Sequence, residues 1–330
     1  MTTINPGIYA GMQNDEYHRG PGISKSGLDL IARSPAHYRF ATDAANDNQR
    51  EPTAAQRVGS MLHKLVLEPE SFWSEYAEPF VAPEDAISTV DDIKERLRAI
   101  GEKVTGNRAE LIERLRFAVP SAVFLEDARA EWLDTVGDRE VISADELAVA
   151  EAMRDAIFSH PLARALFETS QTEAELSAYW HDPVTGVLCR CRPDLWRADG
   201  ILVDLKTTDD ASPEEFARSV LNWRYHVQAA MYLDGIALAI DQLPADVSLP
   251  PGVAVPQEMV FVAVEKKPPH AVAVYRLDAD AMAIGRRDYR RDLDTYARCV
   301  ASGQWPAYGD QLMPLSLPDW YVRRELGATA

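Results

Sequence analysis

The sequence predicts an α/β fold, a mixed central sheet flanked by helices with a helical N-terminal part ahead of it. Three observations predict this. Helical periodicity dominates roughly the first 170 residues. From Glu173 it gives way to short runs bounded by turn signals. Helical segments then alternate with two more strand-like runs, Met259–Val264 and Ala271–Leu277.

Taken in order, Ser24 can cap a helix through Leu28 and Leu30 to Arg33, broken at Ser34-Pro35. The polar, Asn/Asp-rich stretch from Asp43 to Pro52 reads as a linker. Thr53–Leu67 is a second helix, ended by Pro69. Further helices are expected over Asp91–Ile100, Arg108–Phe117, Val123–Thr135 and Ala144–Phe158. Leu176–Trp180, Val187–Leu195 and Ile201–Lys206 read as a three-stranded meander, with turns at Asp182–Gly186 and Asp199-Gly200. At Ser212-Pro213-Glu214-Glu215 a capping serine, a proline at the first helical position and a Glu that closes a capping box start another helix. Helices over Trp223–Ile240 and Ala279–Val300 complete the pattern.

Composition narrows the function classes. The 330 residues carry 34 Lys+Arg against 52 Asp+Glu, a net charge of −18. Such a chain gains no general attraction to nucleic acid, so a site of that kind needs a local basic patch or bound metal ions. Three cysteines fit a reducing cytoplasm, the expected location, and exclude a four-cysteine cluster within one chain. Apolar runs such as Ile236–Ile240 are too short to span a bilayer, and no secretory signal is expected at the N-terminus. The sequence contains no GxxxxGK[ST] loop, no GxGxxG, no HExxH and no GxSxG. Cys189 and Cys191 form a CxC, not a zinc-knuckle spacing.

The informative stretch is Pro193-Asp194, then Asp204-Leu205-Lys206. On a strand, residues two apart share a face, so Asp204 and Lys206 point the same way. Arg190, Arg192 and Asp194 alternate with apolar neighbours and would extend that charged face. Two carboxylates and an ammonium suit metal-assisted phosphodiester hydrolysis. Carboxylate oxygens bind Mg²⁺ or Mn²⁺, and the lysine orients water or stabilises developing charge. Read alone, the same pattern fits a solvated surface hairpin better than a site. Gln228 and Tyr232 stand four apart on one helical face and offer amide and hydroxyl groups to a phosphate, or ordinary packing. His63, one turn after Gly59, is either a metal ligand through a neutral imidazole or a structural side chain.

Together these residues resemble the PD-(D/E)XK nuclease superfamily, and within it the RecE-type exonuclease, the C-terminal domain of exodeoxyribonuclease VIII. The resemblance runs through Ile23-Ser24-Lys25-Ser26, Gly59-Ser60-Met61-Leu62-His63, Cys191-Arg192-Pro193-Asp194, Val203-Asp204-Leu205-Lys206-Thr207-Thr208, Gln228-Ala229-Ala230-Met231-Tyr232, Val264-Glu265-Lys266-Lys267-Pro268-Pro269 and Trp305-Pro306-Ala307-Tyr308. It implies a PD-(D/E)XK core with His63, Asp194 and Asp204 as metal ligands and Lys206 as the catalytic lysine. Gln228 and Tyr232 would lie near the scissile phosphate, and Glu175 would be an additional acidic residue. It also implies a Mg²⁺-dependent, ATP-independent exodeoxyribonuclease that digests double-stranded DNA from its ends, 5′ to 3′, in recombination. A homo-oligomeric ring and a single-strand annealing recombinase as partner belong to the same implication. The competing readings are another PD-(D/E)XK endonuclease or repair nuclease, and a catalytically inactive DNA-binding recombination module.

Residues 88–118 depart from that family core and resemble a SAP motif, a small helical hairpin. Residues 89–117 hold seven Lys/Arg and six Asp/Glu. Lys103 and Arg108 flank its turn and, with Arg192, are the DNA-contact candidates; a plain packed hairpin is the alternative. The expected organisation is therefore 1–87 as the helical N-terminal part, 88–118 as the insert and 119–330 as the core.

One geometric expectation follows from parity. A two-residue Asp199-Gly200 loop would pair Ala198 with Ile201 and set Asp194 opposite Leu205, on the wrong face. A three-residue loop, Ala198-Asp199-Gly200, pairs Arg197 with Ile201 and sets Asp194 opposite Asp204. The chemistry therefore requires the three-residue loop, with Gly200 in the left-handed conformation.

Overall fold

The computed structural model describes residues 4–44, 53–168, 172–245, 247, 249 and 253–326. In chain order the elements are β1 (Gly7–Tyr9), α1 (Asn14–Arg19), α2 (Lys25–Arg33), α3 (Pro35–Ala44), α4 (Ala54–Leu67), α5 (Phe72–Glu75), β2 (Tyr76–Ala77), α6 (Val90–Ala99), α7 (Arg108–Ala118), α8 (Leu125–Val136), β3 (Glu140–Val141), α9 (Ala144–Ser159) and α10 (Pro161–Phe167). They continue as β4 (Thr172–Ala174), β5 (Ser177–His181), β6 (Leu188–Cys191), β7 (Leu195–Arg197), β8 (Ile201–Thr208), α11 (Pro213–Asn222), α12 (Tyr225–Asp241), β9 (Glu258–Glu265), β10 (Val272–Arg276), α13 (Ala279–Ser302) and α14 (Asp319–Leu326). Two compact units result, residues 1–51 with 160–330, and residues 52–159. These boundaries differ from the expected divisions at 87/88 and 118/119. Most of the expected linker, Asp43 to Pro52, lies outside the described residues. Among the described residues no helix is long and apolar enough to cross a membrane.

The first unit is a mixed α/β structure. Its larger sheet has the order β10-β9-β8-β7-β4, with β8 and β9 parallel and the other pairs antiparallel. A smaller antiparallel sheet runs β1-β5-β6. Helix α12 packs against β1, β5, β6 and β9 and against α2, α11 and α13. That placement explains a sequence apolar nearly all round, with Val227, Ala230, Ile236 and Ala239 fully buried. Its side chains join Trp196, Leu202, Phe216 and Phe261 in the principal core.

The stretch Val187–Leu195 is not one strand. It breaks at Arg192-Pro193-Asp194, so β6 belongs to the smaller sheet and β7 to the larger. Pro193 has no N–H for a ladder, which makes the break there. The three-stranded meander is thereby corrected to strands divided between two sheets. The capping box at Ser212 also does not form. The Ser212 amide instead donates to Asp210 Oδ1 at 2.7 Å, while Glu215 pairs with Arg218. Pro213 does hold the first helical position.

The β7–β8 loop is the three-residue one. Leu195 pairs with Val203 and Trp196 with Leu202, and the Gly200 amide donates to the Arg197 carbonyl at 3.1 Å. Gly200 has φ +80°, and a Cβ there would lie 2.9 Å from the Val255 carbonyl. Gly200→Ala should therefore cost about 1–3 kcal/mol, from the left-handed backbone and the contact together. A lowered thermal midpoint by circular dichroism checks this; an unshifted midpoint would contradict it.

The second unit is helical apart from the parallel β2–β3 pair. Thr53 caps α4 with a complete capping box to Gln56. Met61, Leu65, Phe72, Tyr76, Ile142 and Ala150 form one small core. Helices α6 and α7 make the hairpin within 88–118, each opened by a capping box, Thr89 with Asp92 and Asn107 with Glu110. Ile93, Leu97, Leu111 and Leu115 close on each other with Ile87 and Phe124.

Candidate active site

Strand β8 turns Leu205, fully buried, to one face and Asp204 and Lys206 to the other, which they share with Leu202 of the principal core. The register Leu195–Val203, continued one step outward, sets Asp194 opposite Asp204. Asp194 Oδ2 accepts the Leu205 N–H at 2.6 Å, which ties this carboxylate to the middle of β8. The Asp194 carbonyl in turn accepts the Glu175 N–H at 3.1 Å. Asp194 is half-buried, whereas Asp204 is only 1% exposed.

A buried carboxylate needs partners, and Asp204 has them on both oxygens. Lys206 Nζ forms an ion pair with Oδ1. Gln228 Nε2, from the first turn of α12, donates to Oδ2. Gln228 is itself buried, so its amide serves the carboxylate and not solvent. Burial presses the Lys206 pKa down, but Asp204, Asp194 and Tyr225 outweigh burial and leave it raised. Lys206 is thus an ammonium throughout the neutral range. Its Nζ lies 4.6 Å from the centroid of the Tyr225 ring.

Tyr232 stands one turn beyond Gln228 and is buried. Burial, then the negative groups around it including Asp204 and Asp194, push its phenol well above the usual range. It therefore remains a protonated hydroxyl, a donor and not a base.

Glu175 follows β4 in the left-handed region, at φ +54°. Its Oε2 lies 3.7 Å from an Arg192 nitrogen. Arg192, a DNA-contact candidate, is turned inward, its side chain only 7% exposed. Its Nε donates to Ser177 Oγ and an NH₂ group to the Met12 carbonyl, both at 2.9 Å, and its guanidinium lies over the Tyr17 ring. Arg190 likewise donates to the Tyr17, His18 and Gly20 carbonyls. Both arginines anchor the N-terminal segment, because a guanidinium can satisfy several carbonyls at once.

The remaining candidates belong to the second unit. His63 lies on α4, its Nδ1 2.9 Å from the Gly59 carbonyl, which requires the proton on Nδ1. Lys103 is exposed, and Arg108 pairs with Glu126 at 3.0 Å.

The sequence reading missed Tyr225 and Lys25. Tyr225 stands one turn before Gln228, a spacing that could have signalled a shared face. Lys25 Nζ lies 5.9 Å from the same ring and pairs with Asp29 at 2.7 Å. Burial lowers the Lys25 pKa, aided by Lys206 and Arg224 and opposed by Asp29.

Among the described residues no group of three or more His, Cys, Asp or Glu side chains is placed to hold a metal ion. Asp194 and Asp204 still supply the hard oxygen donors that suit a divalent cation of the Mg²⁺ or Mn²⁺ kind.

No curated protein matches the chain. Several solved structures match it, two of them as follows. The first is a "putative exonuclease" from Eubacterium rectale, with a TM-score of 0.52 and 10% identity over 97% of this chain and 100% of that one. At that identity it speaks for the fold alone. The second, SSO0001, covers 71% of this chain and 85% of its own at 14% identity, and its TM-score of 0.25 carries no argument. Residues 24–313 match the family described as "PDDEXK-like domain of unknown function (DUF3799)", and the chain belongs to that family.

Proposed function

We propose that the chain is a divalent-metal-dependent nuclease that hydrolyses double-stranded DNA from its ends. The observation that carries this reading is the buried Asp204 carboxylate held between Lys206 and Gln228, with Asp194 across the hairpin from it. Asp194 and Asp204 would hold the cation, Mg²⁺ or Mn²⁺, which supplies charge neutralisation at the phosphate and a lowered pKa for water. The chain's own groups do the rest. Lys206 keeps a positive charge where a phosphate would meet the carboxylates, and stabilises negative charge developing there. Gln228 fixes the orientation of Asp204. Tyr232 keeps its proton and can donate it in a hydrogen bond.

The finer reading follows the RecE-type resemblance: 5′ to 3′ polarity, independence of ATP, a role in recombination, a homo-oligomeric ring and an annealing partner. A ring would supply the hold on DNA that a net charge of −18 does not. Lys103 and Arg108 are the proposed DNA contacts of the 88–118 hairpin.

Digestion of end-labelled linear duplex in Mg²⁺, in Ca²⁺ and in EDTA tests the core of this reading. Release of label from linear duplex in Mg²⁺ alone is expected, with a covalently closed circle left intact. Cutting of the circle would indicate an endonuclease, and no cutting of either would overturn the reading.

A further inference from the structure

The corner between α11 and α12 holds an exposed tryptophan that its surroundings do not use. Phe216 stacks on Tyr275 at 4.8 Å and Tyr225 on Phe261 at 5.7 Å, both inside the first unit. Trp223, between them in sequence, is 64% exposed, and Leu221 beside it is 68% exposed. Exposed aromatics are not rare in this chain, Phe40 and Phe117 being more exposed still, and what sets Trp223 apart is its place beside Lys25 and Lys206.

The corner is held, so the exposure is built in. The Trp223 amide donates to the Ser219 carbonyl at 2.9 Å, and Lys25 Nζ donates to the Trp223 carbonyl at 2.5 Å. Arg224 takes the left-handed conformation, φ +55°. Its guanidinium is fastened to Asp29 at 2.9 Å and to the buried Asp292. A non-glycine residue in that region persists only where its surroundings over-determine it. These contacts turn Trp223 outward.

The corner also adjoins the reacting groups. The ammonium groups of Lys25 and Lys206 share the Tyr225 ring, and Lys25 is the group bound to the Trp223 carbonyl. Lys25 and the Tyr225 ring thus join the α11–α12 corner to Lys206, so a strand that ran from Lys206 toward this corner would meet Leu221 and Trp223. A flat aromatic beside phosphate-binding cations is the arrangement by which proteins stack unpaired bases without reading sequence.

We infer that Leu221 and Trp223 form a stacking face for an unpaired nucleobase of the DNA strand held at Asp204 and Lys206. The inference rests on the nuclease reading and adds to it a preference for ends carrying a single-stranded overhang.

The test is fluorescence anisotropy in EDTA with two labelled DNAs, a duplex with a short single-stranded overhang and a covalently closed minicircle. Trp223→Ala should bind the overhang duplex about ten-fold more weakly than the wild type, the effect of one lost stacked base. Trp223→Phe should restore most of that affinity, and minicircle binding should not change. Because Trp223 is exposed, its circular dichroism melt should match the wild type. Overhang binding unchanged in Trp223→Ala, while the wild type binds and cleaves, would overturn the stacking face alone. The same holds if the variant alters only self-association in sedimentation. A wild type that binds neither DNA and cleaves nothing in Mg²⁺ would overturn the nuclease reading, and this inference with it.

Discussion

Asp204→Asn is expected to lower DNA cleavage by on the order of a thousand-fold or more while the protein stays folded. The amide keeps the volume of the carboxylate and can still meet Gln228, so the packing around β8 survives. What is lost is the charge, and with it the better-buried of the two proposed oxygen ligands. Lys206 would then sit beside a neutral group in a buried site, a cost that should appear as a modest fall in stability. Single-turnover digestion of end-labelled duplex measures the first effect and a thermal melt the second. Cleavage at the wild-type rate by a folded Asp204→Asn protein would remove Asp204 from the chemistry.

Lys206→Met should be comparably inactive and more clearly destabilised. It leaves the Asp204 carboxylate, almost without exposure, with Gln228 but without its cation. Removing one partner of a buried ion pair costs about 3–5 kcal/mol, and the 20% exposure of the Lys206 side chain favours the lower end. The pH dependence has a definite sign. The folded-state pKa of Lys206 is raised, so its stabilisation is fully present below the ordinary lysine value of 10.5. It fades only as pH climbs through the higher folded value. Wild-type stability should therefore show no loss around neutrality from this group. Urea titration of both proteins at pH 7 measures the difference; equal midpoints would show that the pair contributes nothing to the fold.

Much of the site was legible because it rests on parity and spacing. Asp204 and Lys206 share a face because strands alternate, and Gln228 and Tyr232 share one because helices return after four residues. The three-residue loop at Gly200 followed from requiring Asp194 and Asp204 to meet, against the usual preference of Asp-Gly for a two-residue turn. The division of residues 187–195 between two sheets was harder. The alternation of charged and apolar residues continues through Arg192, and only Pro193 signals the break. Arg190 and Arg192 looked like part of a charged surface. Apart from Ser177 Oγ, their hydrogen-bond acceptors are main-chain carbonyls of residues 12–20, some 170 positions away, which no local pattern records. Strand β1 and helix α1 went unread for the same reason, since the guanidinium groups and Tyr179 that hold them lie far along the chain. Tyr225 was missed because α12, apolar nearly all round, shows no contrasting face from which to judge what each residue meets.

Asp194 and Asp204 face each other across the β7–β8 hairpin, and the proposal is that together they hold a divalent cation. Anomalous diffraction from a crystal soaked in Mn²⁺ tests it most directly. The account predicts a peak coordinated by carboxylate oxygens of both residues, lost in Asp204→Asn. A protein that digests DNA in Mn²⁺ but places its Mn²⁺ away from both carboxylates would contradict it.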